Sequence, residues 1–296
     1  MPKRLDGFHI MIVSKYFDQI HDFFTLETVC RKFMGNITKF HFNPIPLTPK
    51  TLKYFPRIET LNIWSKDEEA FMNKVWDDSL VTPNISKVNF FRVVIWYEVD
   101  YKTSVIKKSS NFVFKNIVYG EGDRLKYGDV VPLGIATVGE DAFYGHVTLD
   151  NIKIPESVSE LGECCFSNCS NLREIELPNS VIVLCGFCFQ NCYKLKDIRL
   201  PLNITSIEES CFEHCALLEE IRIPSGVSKL KKKCFYGCSK LNLIEMSNCV
   251  TYIGNECFKM CRNLSLITLP ANLKDLQLNT IFEVYNKFIV YSFIYR

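Results

Sequence analysis

The chain has no surplus of charge of either sign. Over 296 residues, 35 basic side chains stand against 33 acidic ones, a formal net charge of +2. That balance removes any overall electrostatic drive toward nucleic acid or an acidic membrane surface, so no nucleic-acid partner is expected. Long apolar runs are also missing. The longest, Phe288–Tyr295, is broken by Ser292. It falls short of the roughly 18 residues needed to span a bilayer, and no transmembrane segment is expected. Lys3 and Arg4 precede only a brief apolar stretch, Phe8–Val13, which contains His9 and is soon followed by Asp18, His21 and Asp22. This is a poor secretory signal. Histidine is scarce and scattered, at His9, His21, His41, His146 and His214. No glycine-rich phosphate loop occurs, because Gly120-Glu121-Gly122 lacks the lysine and the strand–helix setting. Carboxylate pairs such as Glu219-Glu220 read as solvated strand positions. Lys231-Lys232-Lys233 is too short for a nucleic-acid stripe. Nothing supports catalysis or a bound cofactor, and a non-enzymatic protein is expected.

What is present is apolar mass and cysteine. The chain is 47% hydrophobic and 13% aromatic, enough to bury a sizeable core. Its fourteen cysteines are ordered: Phe143, Phe166, Phe189, Phe212, Phe235 and Phe258 recur every 23 residues. Cys165, Cys188, Cys211, Cys234 and Cys257 precede five of these rings, and Cys169, Cys192, Cys215, Cys238 and Cys261 follow three residues after them. A fixed period of this size signals a solenoid. One unit reads Val181-x-x-Leu184-x-x-x-Cys188-Phe189-x-x-Cys192-x-x-Leu195-x-x-Ile198-x-Leu200-Pro201. Its Leu-x-x-Ile-x-Leu segment alternates like a half-buried strand. Pro178, Pro201, Pro224 and Pro270 close such strands, where a lost ladder donor is tolerated, and Ser247 replaces proline once. Within a unit the apolar positions cannot cover one another, whereas stacking turns each into a continuous buried row. The rise implied is about 4.8 Å per unit.

These residues resemble the BspA-like class of leucine-rich repeats, of the type abundant in protists and some bacteria. Its pattern is an apolar V-x-x-I, then A-F-x-x-C, then L-x-x-I-x-I/L-P. Here it runs through Ile135–Pro155, Val158–Pro178, Val181–Pro201, Ile204–Pro224, Val227–Ser247 and Val250–Pro270. The first unit departs, with Ala142 and His146 in the cysteine columns. A seventh, Leu273 to Phe293, fits after a one-residue insertion that sets Phe282, Phe288, Tyr291 and Phe293 on the ring and strand positions. The resemblance implies an α+β repeat solenoid with a parallel β-sheet on its inner face.

Upstream, Ile37-x-x-Phe40-x-Phe42, Ile58-x-x-Leu61-x-Ile63 and Ile85-x-x-Val88-x-Phe90 fit the strand rhythm at separations of 21 and 27 residues. Residues 91–134 break it. Val93–Tyr97 and Phe112–Tyr119 read as β segments and Gly120–Asp123 as a turn, an inserted hairpin region or two decayed units. The expected organisation is a helical segment over 1–36, divergent repeats with a β-rich insertion over 37–134, and BspA-like repeats with a degenerate cap over 135–296.

The first residues read as two short helices. Leu5, Phe8, Ile12, Val13, Tyr16 and Phe17 suggest one amphipathic face, and Phe23, Leu26, Val29, Cys30 and Phe33 another. One reading makes them a cap on the repeat array. The other rests on a resemblance of Leu5–Met34 to an F-box, carried by Leu26-x-x-Val29-Cys30-Arg31-x-Phe33, although Asp6 stands where that family has proline. It implies docking to the adaptor of a cullin ubiquitin ligase through Leu5, Ile12, Phe17, Leu26, Val29 and Phe33.

The cysteine columns read as buried structural thiols. Pairs translated along an axis form a row and not a tetrahedral metal cage, and their parallel Cβ vectors suit disulfides poorly. Reduced thiols and the missing signal agree on a reducing, cytoplasmic setting. The outward strand positions carry the functional reading. One column holds Lys153, Glu176, Arg199, Arg222 and Glu245; the other holds Glu174, Asp197, Glu220, Leu243 and Leu266. Cross-strand pairs such as Glu176–Arg199 and Arg222–Glu245 have a purely supporting role open to them. The functional expectation is a protein partner bound on this inner face. A ligase substrate adaptor is the alternative, and a cell-surface adhesin the weaker one.

Overall fold

The structure is a computed structural model describing residues 7–48, 50–68, 90–108, 111–264, 266–277, 280 and 290–291. It divides into two compact units: Met1–Val99 with Thr103–Asn116, and Asp100–Lys102 with Ile117–Arg296.

The second unit is the solenoid. Each repeat contributes two short strands, one more than the spacing of leucines announced. The added strand ends the Val-x-x-Leu segment: β4 (Thr137–Val138), β6 (Glu160–Leu161), β8 (Val183–Leu184) and β10 (Ser206–Ile207) pair in parallel, and β12 (Lys229–Leu230), β14 (Tyr252–Ile253) and β16 (Asp275–Leu276) form a further sheet. The anticipated strand appears as β5 (Asn151–Lys153), β7 (Glu174–Glu176) and β9 (Asp197–Ile198), as β11 (Glu220–Ile223) with β13 (Leu243–Met246), and as β15 (Leu266–Ile267) with β17 (Val290–Tyr291). Glu174 opposes Asp197 and Ile221 opposes Ile244, partners one repeat apart. Ile267 opposes Tyr291, so the last repeat is one residue longer, as its insertion requires. Phe282, Phe288 and Phe293 lie outside the described residues.

The period becomes packing. Phe143, Phe166, Phe189, Phe212, Phe235 and Phe258 are fully buried. Their ring centroids are 5.1–5.7 Å apart and their planes within 15° of parallel, an offset stack. The backbone ties the same rungs: Phe143, Phe166, Phe189, Phe212 and Phe235 each donate N–H to the carbonyl of the first-column cysteine one repeat on, at 2.8–3.0 Å.

Both ends of this row have substitutes. Arg124 Nε donates to the Ala142 carbonyl at 2.7 Å, the acceptor a preceding phenylalanine would have used. Its guanidinium lies 5.8 Å from the Phe143 centroid, where a preceding ring would have stacked. At the far end Phe258 donates to the carbonyl of Thr280 at 2.9 Å.

Arg124 sits on helix α4 (Glu121–Tyr127), which corrects the expected turn at Gly120–Asp123. Gly120 is extended and precedes the helix, and the Asp123 carboxylate accepts from the Gly120, Tyr101 and Lys102 N–H groups at 3.3, 3.2 and 2.9 Å. An acidic side chain in a first helical turn outweighs the turn-forming tendency of Gly-Glu-Gly-Asp.

Each turn of the solenoid also needs two residues in the left-handed region. Asp141, Cys164, Phe187, Ser210, Lys233 and Glu256 form one such column, with φ between 53° and 57°. Gly145, Asn168, Asn191, His214, Gly237 and Met260 form the other, with φ between 59° and 73°. Glycine and asparagine suit the second column; Met260 does not.

In the first unit, α1 (Gly7–Ser14) and α2 (Ile20–Val29) are present, but their faces differ from the expectation. α1 buries Ile10 and Ser14 and exposes Ile12 and Val13, and Tyr16 just beyond it is exposed too. Ser14 is tolerated because its hydroxyl donates to the Ile10 carbonyl at 2.8 Å and accepts from Asn36 Nδ2 at 2.9 Å. α2 stops at Val29, since Cys30 is extended and a 3-10 turn over Arg31–Phe33 follows. Phe23 is the anchor, packed edge-on against Phe17, Phe40 and Phe55 at 5.1–5.8 Å.

Of the divergent rungs, the one over 58–63 forms a strand. β1 (Thr60–Ile63) pairs with β2 (Arg92–Asp100), Leu61 opposite Val93, and not with a strand ending at Phe90; Ile85 and Val88 lie outside the described residues. Ile37–Lys39 is a 3-10 turn, and Phe42 bridges to Thr60. Of the two arrangements expected for 91–134, an inserted hairpin region or two decayed units, the described residues do not form the hairpin. Helix α3 (Tyr101–Ile106) follows β2 and β3 (Phe112–Tyr119) comes next. Asn111 donates to Phe90 O and Asn116 to Trp96 O, contacts that advance together along both segments, as in parallel strands.

Two changes probe this architecture. Phe189→Ala removes a ring from the middle of the stack and is expected to cost about 3–5 kcal/mol in urea unfolding of the full chain. Met260→Asn relieves a left-handed methionine at a position where Asn168 and Asn191 already serve, and is expected to add about 0.5–1 kcal/mol in the same assay.

Candidate functional site

The outward residues of β5, β7, β9, β11 and β13 share one exposed face. Lys153, Glu174, Glu176, Asp197, Arg199, Glu220, Arg222, Leu243 and Glu245 are all exposed on it, as strict alternation demands. Leu266 opens β15, and the placement of its side chain is outside the described residues. Arg222 opposes Glu245 in register, and Arg222 Nε lies 2.6 Å from Glu245 Oε2. The companion pair fails: among the described residues no ion pair joins Glu176 to Arg199. β9 ends at Ile198, so Arg199 has already left the strand.

That early end matters. β9 and β11 belong to separate sheets, so the ladder is interrupted between them. A cavity of about 540 Å³ opens over the interruption, lined by Asp197, Arg199, Leu202, Glu220, Arg222 and Leu243, among others. Leu202 is 78% exposed. The strand pattern missed it because it lies beyond Pro201. Its column sets it apart, since the equivalent residues are Glu156, Asn179, Ser225, Asn248 and Ala271, four polar and one small.

The basic run is neutralised from the adjacent repeats. Lys231 pairs with Glu208, Lys232 with Glu209 at 3.1 Å, and Lys233 with Glu213 and Glu256 at 3.8 and 3.9 Å. Burial works against the Glu208 carboxylate, but hydrogen bonds from Lys231 and Ser206 outweigh it and hold its pKa below the ordinary value.

The cysteines are unbonded, all fourteen of them. Both columns are fully buried. The second column has a task that its spacing did not announce. Cys169, Cys192, Cys215, Cys238 and Cys261 each direct the thiol at the phenylalanine carbonyl of the preceding repeat, at 3.0–3.2 Å. A small apolar residue with one weak donor fits a buried carbonyl that still has a lone pair to satisfy. In the first column Cys165 Sγ and Cys188 Sγ are 3.4 Å apart. Burial pushes Cys169 and Cys261 up to about 12 and drives Cys188, Cys192, Cys215, Cys234 and Cys238 well above the ordinary thiol value. Thiolate chemistry is therefore suppressed at these seven cysteines. Among the described residues no group of three His, Cys, Asp or Glu side chains is placed to hold a metal ion. No described helix is long and apolar enough to cross a membrane.

Of the N-terminal candidates, Ile12 and Val29 are exposed, while Phe17, Leu26 and Phe33 are half-buried. Leu5 lies outside the described residues.

A family model described as BspA type leucine rich repeat region matches residues 130–242 and 186–289, in six copies. Among solved structures, a leucine rich cell surface protein from Faecalibacterium prausnitzii A2-165 is 26% identical, with a TM-score of 0.47, over 51% of this chain and 40% of that one. The chain thus spans less than half the length of that protein. A leucine rich repeat protein from T. pallidum is 25% identical, with a TM-score of 0.37, over 51% of this chain and 78% of that one. No curated protein matches the chain.

The raised thiol values give a pH dependence. A thiol whose folded value lies above its unfolded value of about 9 binds more protons folded than unfolded once pH exceeds 9, so stability falls as pH rises. Thermal midpoints followed by circular dichroism are expected to be flat up to about pH 8.5 and to fall progressively from about pH 9 to 12.

Proposed function

Because the chain belongs to the BspA-type leucine-rich-repeat family, we propose that it is a non-enzymatic scaffold that binds a protein partner on the inner face of its repeats. Proteins of this family are generally non-enzymatic scaffolds. The observation that carries the reading is the exposed strand face of β5–β13 with its open cavity over Asp197, Arg199, Leu202 and Leu243. A rigid stack of strands holds these side chains in fixed register, which lowers the ordering cost of binding. The organisation that goes with this reading is a helical segment over 1–36, divergent rungs over 37–134 and BspA-like repeats over 135–296. The setting that goes with this reading is reducing and cytoplasmic, one that suits ten column thiols packed as fully buried apolar residues.

A second reading has its own observation. Ile12, Val13, Tyr16 and Val29 present apolar surface to solvent, and Val29 is 71% exposed. Exposed apolar side chains on short helices suit docking to a ligase adaptor, with the repeats holding a substrate.

Affinity capture from native-cell lysate separates the readings. Captured proteins are expected to be lost when Arg199→Glu and Leu243→Asp are combined in a chain that melts like the wild type. Retention of the same proteins would remove the inner face as the interaction surface. A cullin-ligase adaptor lost on Val29→Asp with Phe33→Asp would establish the docking role; its absence from the wild-type capture would dismiss it.

A further inference from the structure

We infer that the occupant of the inner face is a protein segment carrying basic side chains beside apolar ones; this rests on the reading of that face as the interaction surface and specifies its chemistry.

The face has the opposite sign to the molecule. On its two outward columns Glu174, Glu176, Asp197, Glu220 and Glu245 stand against Lys153, Arg199 and Arg222, five acids to three bases, in a chain whose net charge is +2. The excess is concentrated. Glu174 and Asp197 are opposite each other in register, and Glu220 takes the same place on the next rung. Like charges opposite one another weaken a sheet. Elsewhere in the solenoid such charges are answered from the adjacent rung: Arg173 reaches Asp150 at 3.0 Å, Lys196 reaches Glu219 at 3.5 Å and Lys232 reaches Glu209 at 3.1 Å. Among the described residues no cation lies within ion-pairing distance of Glu174, Asp197 or Glu220. An incoming ammonium or guanidinium group relieves that repulsion as it binds.

A second observation does not depend on charge. The cavity over the break between β9 and β11 places the exposed Leu202 and Leu243 beside Asp197 and Glu220. Apolar contact there excludes water from the neighbouring carboxylates, which strengthens their pairing with a cation. A polyanion is disfavoured by the same three carboxylates, and Arg222 is already engaged by Glu245.

The test selects from a random twelve-residue peptide display library on the full chain, then measures the enriched peptides by fluorescence anisotropy. Peptides rich in Lys or Arg with at least one large apolar residue are expected. Their affinity should fall about tenfold or more for Asp197→Asn with Glu220→Gln, changes at exposed strand positions that remove a like-charge repulsion and so keep the chain at least as stable. Affinity should also fall on raising salt from about 0.05 to about 0.5 M. Ser225→Trp fills the cavity without changing charge. Peptides blocked by Ser225→Trp but acidic or uncharged, or indifferent to the neutralised pair, would overturn the basic partner and keep the face. Peptides unaffected by Ser225→Trp would overturn the face itself.

Discussion

A phenylalanine in the middle of these repeats is kept from water by its own counterparts above and below, and by little else that the single repeat can offer. The ring of Phe189 lies between those of Phe166 and Phe212, its N–H is taken by the carbonyl of Cys211, and its carbonyl accepts the thiol of Cys215. Every one of these partners belongs to another rung. The two short strands of each repeat are too brief to hold together alone, and they exist because the stack fixes their register. The outward strand face, the even spacing of its side chains and its rigidity all descend from this dependence of each turn on the next.

The 23-residue period made the solenoid, its register and its outward residues legible, because a strict repeat leaves little freedom about which side chains meet. Less regular features escaped for physical reasons. The second strand of each turn is only two residues long, below the length at which alternation is readable. The helix at Glu121 was hidden behind Gly-Glu-Gly-Asp, whose turn tendency is overridden by Asp123 gathering three backbone N–H groups. The left-handed columns were partly written in Gly145, Asn168, Asn191 and Gly237, but Phe187 and Met260 occupy such places without any local hint. There the stack imposes a conformation that the residue would not choose. In the N-terminal unit the apolar pattern misled, since Ser14 is buried while Val13 is not; a hydroxyl that bonds within its own helix can pass for a core residue.

Charge is distributed by a different rule from apolar mass. Along the turns that flank the strands, lysines meet glutamates from the adjacent rung, and the run Lys231–Lys233 is answered by Glu208, Glu209 and Glu213. On the inner strands the rule lapses: Arg222 meets Glu245, while Arg199 lies beyond the end of β9 and Glu174 faces Asp197. Apolar columns tolerate little variation because each residue must fit two neighbours. The outward columns face solvent and bear no such demand, so they are where one member of a repeat family can come to differ from another.

Arg124 carries a consequence for how such a molecule changes length. By bonding the Ala142 carbonyl and covering Phe143, it supplies at the edge of the stack what a further turn would have supplied. The rungs beyond it are thereby made exchangeable. A recombination that drops one whole period leaves every backbone partner, ring neighbour and thiol acceptor in place, because each recurs 23 residues on. It does not leave the face unchanged. Losing the repeat that carries Asp197 and Arg199 would set Glu174 beside Glu220 and Glu176 beside Arg222. Unequal crossing-over can therefore rewrite the charge pattern of the outward strand face in a single step while the architecture beneath it stays intact.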